Sequence, residues 1–263
     1  LAPGQLAPMI PIAIGARDGI EIRGYVTLPK MTGPHPLIVI PHGGPLGIQD
    51  RWGYDSQTQF FANRGFAVMQ VNFRGSGGRG IAFEEAGYKQ WGGTMIDDIV
   101  DATRWAADTN DIDGDRMCIM GGSYGGYAAL MAVTREPDLY RCAIGFVGVY
   151  DLELMFQRGD IRASVAGRQY LRERAIGTDP AALKANSPIT HVKKIQVPVM
   201  LAHGTEDRRV PIKHAQVMRK ALEEAGVEYD WYLERGEGHG FYSVENQVAL
   251  HEAMLAFVRR STQ

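Results

Sequence analysis

Arg116-Met117-Cys118-Ile119-Met120-Gly121-Gly122-Ser123-Tyr124-Gly125-Gly126-Tyr127 is the stretch from which the rest of the chain can be read. Its apolar run, residues 117–120, predicts a buried strand. Ala128-Ala129-Leu130-Met131-Ala132-Val133 just beyond predicts a helix with an apolar face. Gly121-x-Ser123-x-Gly125 therefore falls between a strand and a helix, the setting a nucleophile elbow requires. In so sharp a turn the residues two before and two after the serine nearly touch, and neither tolerates a large side chain. The serine hydroxyl projects above the sheet edge, and the positive N-terminal end of the helix faces any negative charge forming there. A glycine-rich connection with an ordinary N-capping serine has the same short pattern, so the choice rests on residues further along the chain.

The 263 residues, 45% hydrophobic and 22% charged, fit one globular domain spanning 1–263 with a large core. A net charge of −2 gives no electrostatic case for nucleic acid or an anionic membrane surface, and no apolar run reaches transmembrane length. Cys118 and Cys142 lie in apolar, strand-like runs and read as buried free thiols rather than a disulfide. No signal peptide is visible, so a cytoplasmic location is expected. A periplasmic or secreted one stays open because the chain starts at Leu1 rather than Met.

Outward from the elbow, strand and helix patterns alternate. Residues 3–11 are proline-rich and predict an extended lead-in. Residues 20–28, 37–40, 66–71, 142–147 and 197–202 predict strands, several of them continuous apolar runs as in a sheet buried on both faces. Residues 54–64 predict a helix, and Ile96, Ile99, Val100, Thr103 and Ala107 mark another by their spacing. Residues 150–186 predict a helical cap whose arginines, Arg158, Arg162, Arg168, Arg172 and Arg174, form a solvated face. A helix around Val217 and Leu222, an edge strand at Tyr229, Trp231 and Leu233, and an amphipathic helix carrying Leu250, Met254 and Phe257 complete the chain. The alternation argues for an α/β fold with a mostly parallel sheet of about eight strands and helices on both faces.

Two motifs fail in context. Gly75-x-Gly77-x-x-Gly80 matches a dinucleotide fingerprint, with Asp97 and Asp98 at about the right distance. However, Phe73 and Arg74 separate it from its strand, and Gly87, Gly92 and Gly93 break the helix that should follow. Asp111-Ile112-Asp113-Gly114-Asp115 resembles part of a calcium loop, but the required acid at its twelfth position is Gly122. A polar turn is expected instead.

Asp207 and then His239 follow Ser123, each in a loop directly after a predicted parallel strand. Serine, acid and histidine in that order is the α/β-hydrolase arrangement, and all three would meet at the sheet's C-terminal rim. Imidazole titrates near neutrality and can take the serine's proton, while a carboxylate holds the ring's tautomer. Spacing alone leaves Glu206 competing with Asp207. His203 ends an apolar strand and reads as a packed core residue, whereas His214 and His251 read as surface or boundary positions on helices. The oxyanion hole would use the backbone N–H of Tyr124 and one from His42-Gly43-Gly44-Pro45, with Gly44 the choice. A metal site at His42 lacks any paired ligand spacing, and no cofactor is called for.

From about Asp18 onward the chain resembles the catalytic domain of the prolyl oligopeptidase family, most closely its acylaminoacyl-peptidase and dipeptidyl-peptidase-like branches. The resemblance is carried by His42-Gly43-Gly44-Pro45, Asn72-x-Arg74-Gly75-Ser76, the run 121–127, Ser187-Pro188, His203-Gly204-x-x-Asp207-x-x-Val210-Pro211 and Gly238-His239-Gly240. It implies Asp207 as the acid, a serine peptidase acting on short or N-acylated peptides, and Arg209 as the ligand of a substrate carbonyl. It also implies a pocket lined by Tyr124, Val149, Leu152, Met155 and Val210 for the residue before the scissile bond. Family members carry an N-terminal β-propeller that nothing here can form, so an excised or processed catalytic domain is expected. Oligomeric state stays undecided. The alternative is a carboxylesterase on the same fold, since fold does not fix substrate. A catalytically silent binding module would lack a triad residue, and none is missing.

Overall fold

The computed structural model describes residues 3–263; Leu1, on which the expectation of a processed start rests, lies outside them. The strands are β1 (Met9–Gly15), β2 (Glu21–Thr27), β3 (His35–Pro41), β4 (Ala67–Asn72), β5 (Ile112–Gly122), β6 (Cys142–Phe146), β7 (Val199–Gly204) and β8 (Tyr229–Glu234). They form one eight-stranded sheet in the order β1-β2-β4-β3-β5-β6-β7-β8. β1 and β2 run antiparallel to their neighbours, and β4, β3, β5, β6, β7 and β8 pair in parallel. The helices are α1 (Ser56–Ala62), α2 (Ile81–Glu85), α3 (Thr94–Ala107), α4 (Tyr124–Arg135), α5 (Leu154–Gln157), α6 (Val165–Gln169), α7 (Pro180–Ala185), α8 (Lys213–Ala225) and α9 (Val244–Ser261). The order and direction of the strands are those of an α/β-hydrolase, as the sequence predicts.

The continuous apolar runs have a direct cause. Side chains alternate along a strand, so Leu37 and Val39 pack on the face covered by α3, α4 and α8, while Ile38 and Ile40 pack on the face covered by α1 and α9. Local signals set the ends of several elements. The Asp55 side chain accepts from Thr58 N–H (2.7 Å) to start α1, and Ser243 accepts from Asn246 N–H (3.1 Å) to start α9. The predicted cap over 150–186 is a series of short helical turns, and its five arginines are exposed.

Three expectations are corrected, and the broken helix after Gly80 is borne out. The lead-in over 3–11 passes into β1, which pairs with β2 from Met9 onward. The acidic turn at 111–115 belongs to the start of β5: His35 and Pro36 pair with Ile112 and Asp113, after which the register jumps to Leu37 with Met117. Asp113 stabilises that irregularity by accepting from Asp115 N–H and from Arg116 Nε. A helix, α2, does open at Gly80, but it ends at Glu85. Cys118 and Cys142 are disulfide-bonded rather than free. They face each other in register on the adjacent strands β5 and β6 with Cα atoms 4.8 Å apart, a neighbourhood that their separation in sequence does not reveal.

The glycine-rich segment after β4 has a structural use. Arg74 makes hydrogen-bonded ion pairs with Asp98 (2.6 Å) and Asp18 (2.7 Å), and Asp98 is wholly buried. The acid that a dinucleotide site would need is thereby committed to closing this loop onto α3.

Candidate active site

At the end of β5 the chain turns at Ser123 (φ 58°, ψ −118°) directly into α4. Positive φ is costly for a residue with a side chain, and the surroundings hold it in place. Ser123 N–H donates to Phe146 O at 2.9 Å. A Cβ on Gly121 would lie 2.6 Å from the Gly125 carbonyl carbon, and one on Gly125 would lie 2.2 Å from Pro41 O. Both glycines are therefore required by backbone contact, as the sequence pattern implies. Val147, just past β6, also has positive φ (44°), so two strained residues share this rim.

Asp207 and His239 reach the same rim from the loops after β7 and β8. Gly204 lets the end of β7 pass under the histidine loop, since a Cβ there would sit 2.3 Å from Glu237 O. The Glu237 carboxylate fixes that loop by accepting from Tyr242 N–H, Ser243 N–H and Asn246 Nδ2. His239 Nδ1 lies 2.8 Å from Asp207 Oδ2, and His239 Nε2 lies 3.0 Å from Ser123 Oγ. Asp207 Oδ1 accepts from Arg209 N–H (2.9 Å) and Val210 N–H (2.8 Å). Burial alone would raise this carboxyl's pKa, but hydrogen bonds with His203 and His239 and the Val210 amide override it and bring the pKa down to about 2. An ionised carboxylate only accepts, so Nδ1 carries the ring proton and Nε2 is left to accept from the serine hydroxyl.

The remaining histidines divide differently from the sequence expectation. His203 is fully buried, as expected, with Nε2 donating to Val210 O (2.8 Å) and lying 3.4 Å from Asp207 Oδ2. Its place against the acid was not anticipated, although the four-residue spacing His203 to Asp207 was the available signal. His214 is buried rather than superficial, and its Nδ1 accepts from Tyr150 N–H at 3.4 Å. It lies on the face of α8 that packs on the sheet, and burial pulls its pKa down to about 3. His251 is half-buried, at a boundary. His42 stacks on Phe73, donates from Nδ1 to Gly43 O (2.8 Å) and accepts at Nε2 from Ser76 Oγ (2.7 Å). Burial lowers its pKa to about 4. With both nitrogens engaged, His42 anchors the Gly43–Gly44 turn.

That turn lies against the elbow: a Cβ on Gly43 would sit 3.2 Å from Gly122 O and 3.6 Å from Ser123 Cβ. Gly44 has φ 116° and could carry no Cβ without meeting Ile48 at 2.7 Å. The Tyr124 N–H opens α4 and so has no acceptor within the helix. Its side chain is wholly buried among Phe73, Trp91 and Tyr127. Val149, Leu152, Met155 and Val210 are likewise buried in the main core. None of them lines the cavity of about 420 Å³ that Gly44, Asp160, Ile161, Tyr170 and Arg209 help to enclose. Arg209 is half-exposed at this cavity and pairs through Nε with Asp160 at 2.6 Å. Glu206 is exposed and takes no part in the chain of hydrogen bonds at Ser123.

Known proteins resemble this chain over most of its length. The chain is 35% identical over 278 aligned residues to dipeptidyl aminopeptidase BIII of Pseudoxanthomonas mexicana, covering 96% of this chain and 38% of that protein. It is 27% identical to acylamino-acid-releasing enzyme 1 of Oryza sativa subsp. japonica, covering 76% of this chain and 26% of that one. A puromycin-hydrolysing peptidase of Mycobacterium tuberculosis superposes with a TM-score of 0.92 at 29% identity, covering all of this chain and 40% of the other. The chain thus spans well under half the length of the relatives it matches. A family model described as the prolyl oligopeptidase family matches residues 52–263, and this chain belongs to that family.

Proposed function

We propose that the chain is the catalytic part of a serine peptidase that cleaves short or N-acylated peptides through an acyl-enzyme. The observation that carries this reading is the unbroken hydrogen-bonded line from Ser123 Oγ through the His239 ring to the buried Asp207 carboxylate. Ser123 attacks the scissile carbonyl carbon as its proton passes to His239 Nε2. The resulting oxyanion is stabilised by the Tyr124 N–H at the start of α4 and by a donor from Gly44. His239 then protonates the leaving amine, and water repeats the sequence on the ester. Arg209, which lines the same cavity as Gly44, holds a backbone carbonyl of the acyl part. The relatives' names, a dipeptidyl aminopeptidase and an acylamino-acid-releasing enzyme, support peptide substrates. Their greater length supports a further domain, for which we propose the family's β-propeller.

The carboxylesterase alternative draws on one observation: Arg209 is already paired with Asp160, so its guanidinium is not waiting for a substrate carbonyl. A fluorophosphonate probe tests the shared chemistry. It should label Ser123 and abolish all hydrolysis, whereas labelling elsewhere or an active Ser123→Ala variant refutes the assignment. Cleavage of an N-acetylated tripeptide then separates peptidase from esterase. For location, the core disulfide supports the periplasmic or secreted alternative over the cytoplasm, because such bonds persist in oxidising compartments. Fractionation of the native host decides it.

A further inference from the structure

A second cavity, of about 320 Å³, reaches the turns that carry the catalytic pair. Gly122, which precedes Ser123, and Gly240, which follows His239, both line it, with Phe146, Phe241, Leu250 and Met254 supplying apolar walls. Phe146 and Phe241 meet edge to face at 5.1 Å, and Phe241, Leu250 and Met254 are buried, so these walls are held by the core. The volume is at the small end of ligand pockets, enough for a large side chain and its backbone.

The identity of residue 122 points to a use. Gly121 and Gly125 are forced to be glycine by backbone contacts under 3 Å. Gly122 is not forced, because a Cβ there would meet only Phe146, at Cδ1 (3.4 Å) and O (3.9 Å), both ordinary contacts, and its φ is not positive. What glycine does at this position is leave the cavity open beside the nucleophile.

Chemistry fixes which part of a substrate would enter. The oxyanion donors and Arg209 define the acyl side, at the cavity around Gly44. The leaving amine must depart next to the imidazole that protonates it, and the second cavity adjoins the histidine loop. We propose that this cavity receives the first residue after the scissile bond, and that it selects a large apolar side chain there. The inference rests on the acyl-enzyme reading of the site and adds a leaving-group preference to it.

The test uses the acylation half of the peptidase reaction, run backwards. The enzyme is acylated with an N-acetyl amino acid p-nitrophenyl ester in the presence of glycinamide, leucinamide or phenylalaninamide. The amine nitrogen attacks the ester carbonyl carbon of acyl-Ser123 and passes its proton to His239. The bond from carbon to Oγ breaks, and Oγ regains a proton. The ratio of peptide amide to free acid, measured chromatographically on one acyl-enzyme, is independent of the acylation rate. Leucinamide and phenylalaninamide should be captured roughly ten- to a hundredfold better than glycinamide, as expected for burying one apolar side chain. Gly122→Leu should erase that advantage, and Met254→Phe, remote from the elbow, should reduce it if the first variant does not fold. Equal capture of glycinamide and leucinamide by the wild-type protein overturns the inference. Failure to release p-nitrophenol at all overturns the acyl-enzyme reading itself, so the two failures are distinguishable.

Discussion

Replacing Asp207 by asparagine probes the site at its best-defined point. The side chain is fully buried, with Oδ1 held by two backbone N–H groups and Oδ2 facing His239 Nδ1 at 2.8 Å and His203 Nε2 at 3.4 Å. An amide can keep its oxygen on the Arg209 and Val210 N–H groups, which puts its NH₂ against the two imidazoles. The flipped amide is worse, because it sets NH₂ against two backbone donors. In the favoured orientation His239 Nδ1 must accept, so the ring proton moves to Nε2 and that nitrogen can no longer take the Ser123 proton. The expected loss in kcat is about 10⁴-fold, or roughly 5 kcal/mol of transition-state stabilisation.

Stability should change in a way that can be measured separately. The Asp207 pKa is depressed to about 2, so its carboxylate contributes stability above its unfolded-state pKa near 3.8, and this is lost as pH falls through 2. The shift corresponds to on the order of 2 kcal/mol near neutrality, or roughly 5 °C in Tm for a chain of this size. Asp207→Asn should therefore melt a few degrees lower near neutral pH, and the difference should shrink as the wild-type carboxylate is protonated. Steady-state hydrolysis of p-nitrophenyl acetate with thermal melts checks both parts. A folded Asp207→Asn protein within tenfold of wild-type kcat would falsify the tautomer argument.

Three other outcomes are expected. His203→Gln removes the donor to Val210 O inside the core and should cost about 1–3 kcal/mol in chemical denaturation; kcat should fall further than KM rises, because the Asp207 loop loses its backing, and unchanged kcat would limit His203 to packing. Arg209→Ala should lower kcat/KM for N-acylated peptides roughly ten- to a hundredfold with little change on p-nitrophenyl acetate; equal losses on both would mean that Asp207 had shifted, and no loss on either would favour the esterase. Thiol titration in denaturant without reductant should find no free cysteine, and Cys118→Ala/Cys142→Ala should lose about 3 kcal/mol of stability from the closed loop of some two dozen residues.

Most of the fold was legible because its determinants are local. Four consecutive apolar residues such as Leu37-Ile38-Val39-Ile40, mostly β-branched and bounded by Pro36 and Pro41, suit a strand covered on both faces, and similar runs recur through the chain. What escaped depended on register. That Cys118 and Cys142 would share a rung followed from the offset between β5 and β6, which no motif encodes. The jump between Pro36 and Leu37 likewise turned an apparent acidic turn into the first residues of a strand.

The same division runs through the site. Ser123 and Asp207 lie near glycines demanded by close backbone contacts, Gly121 and Gly125 for the elbow and Gly204 beneath the histidine loop, whereas a Cβ on Gly240 beside His239 would meet nothing. Such contacts leave a mark in short stretches of sequence, and His239 could be picked out by its order after the other two and its place after a predicted strand. Selectivity lies between elements instead. Asp160 meets Arg209 from a segment some fifty residues earlier, and His214 turns inward only because α8 lays that face on the sheet. Gly122 belongs to both classes, since it stands inside the motif yet no backbone contact demands it. A motif position that packing leaves free is where substrate preference can vary without disturbing the nucleophile.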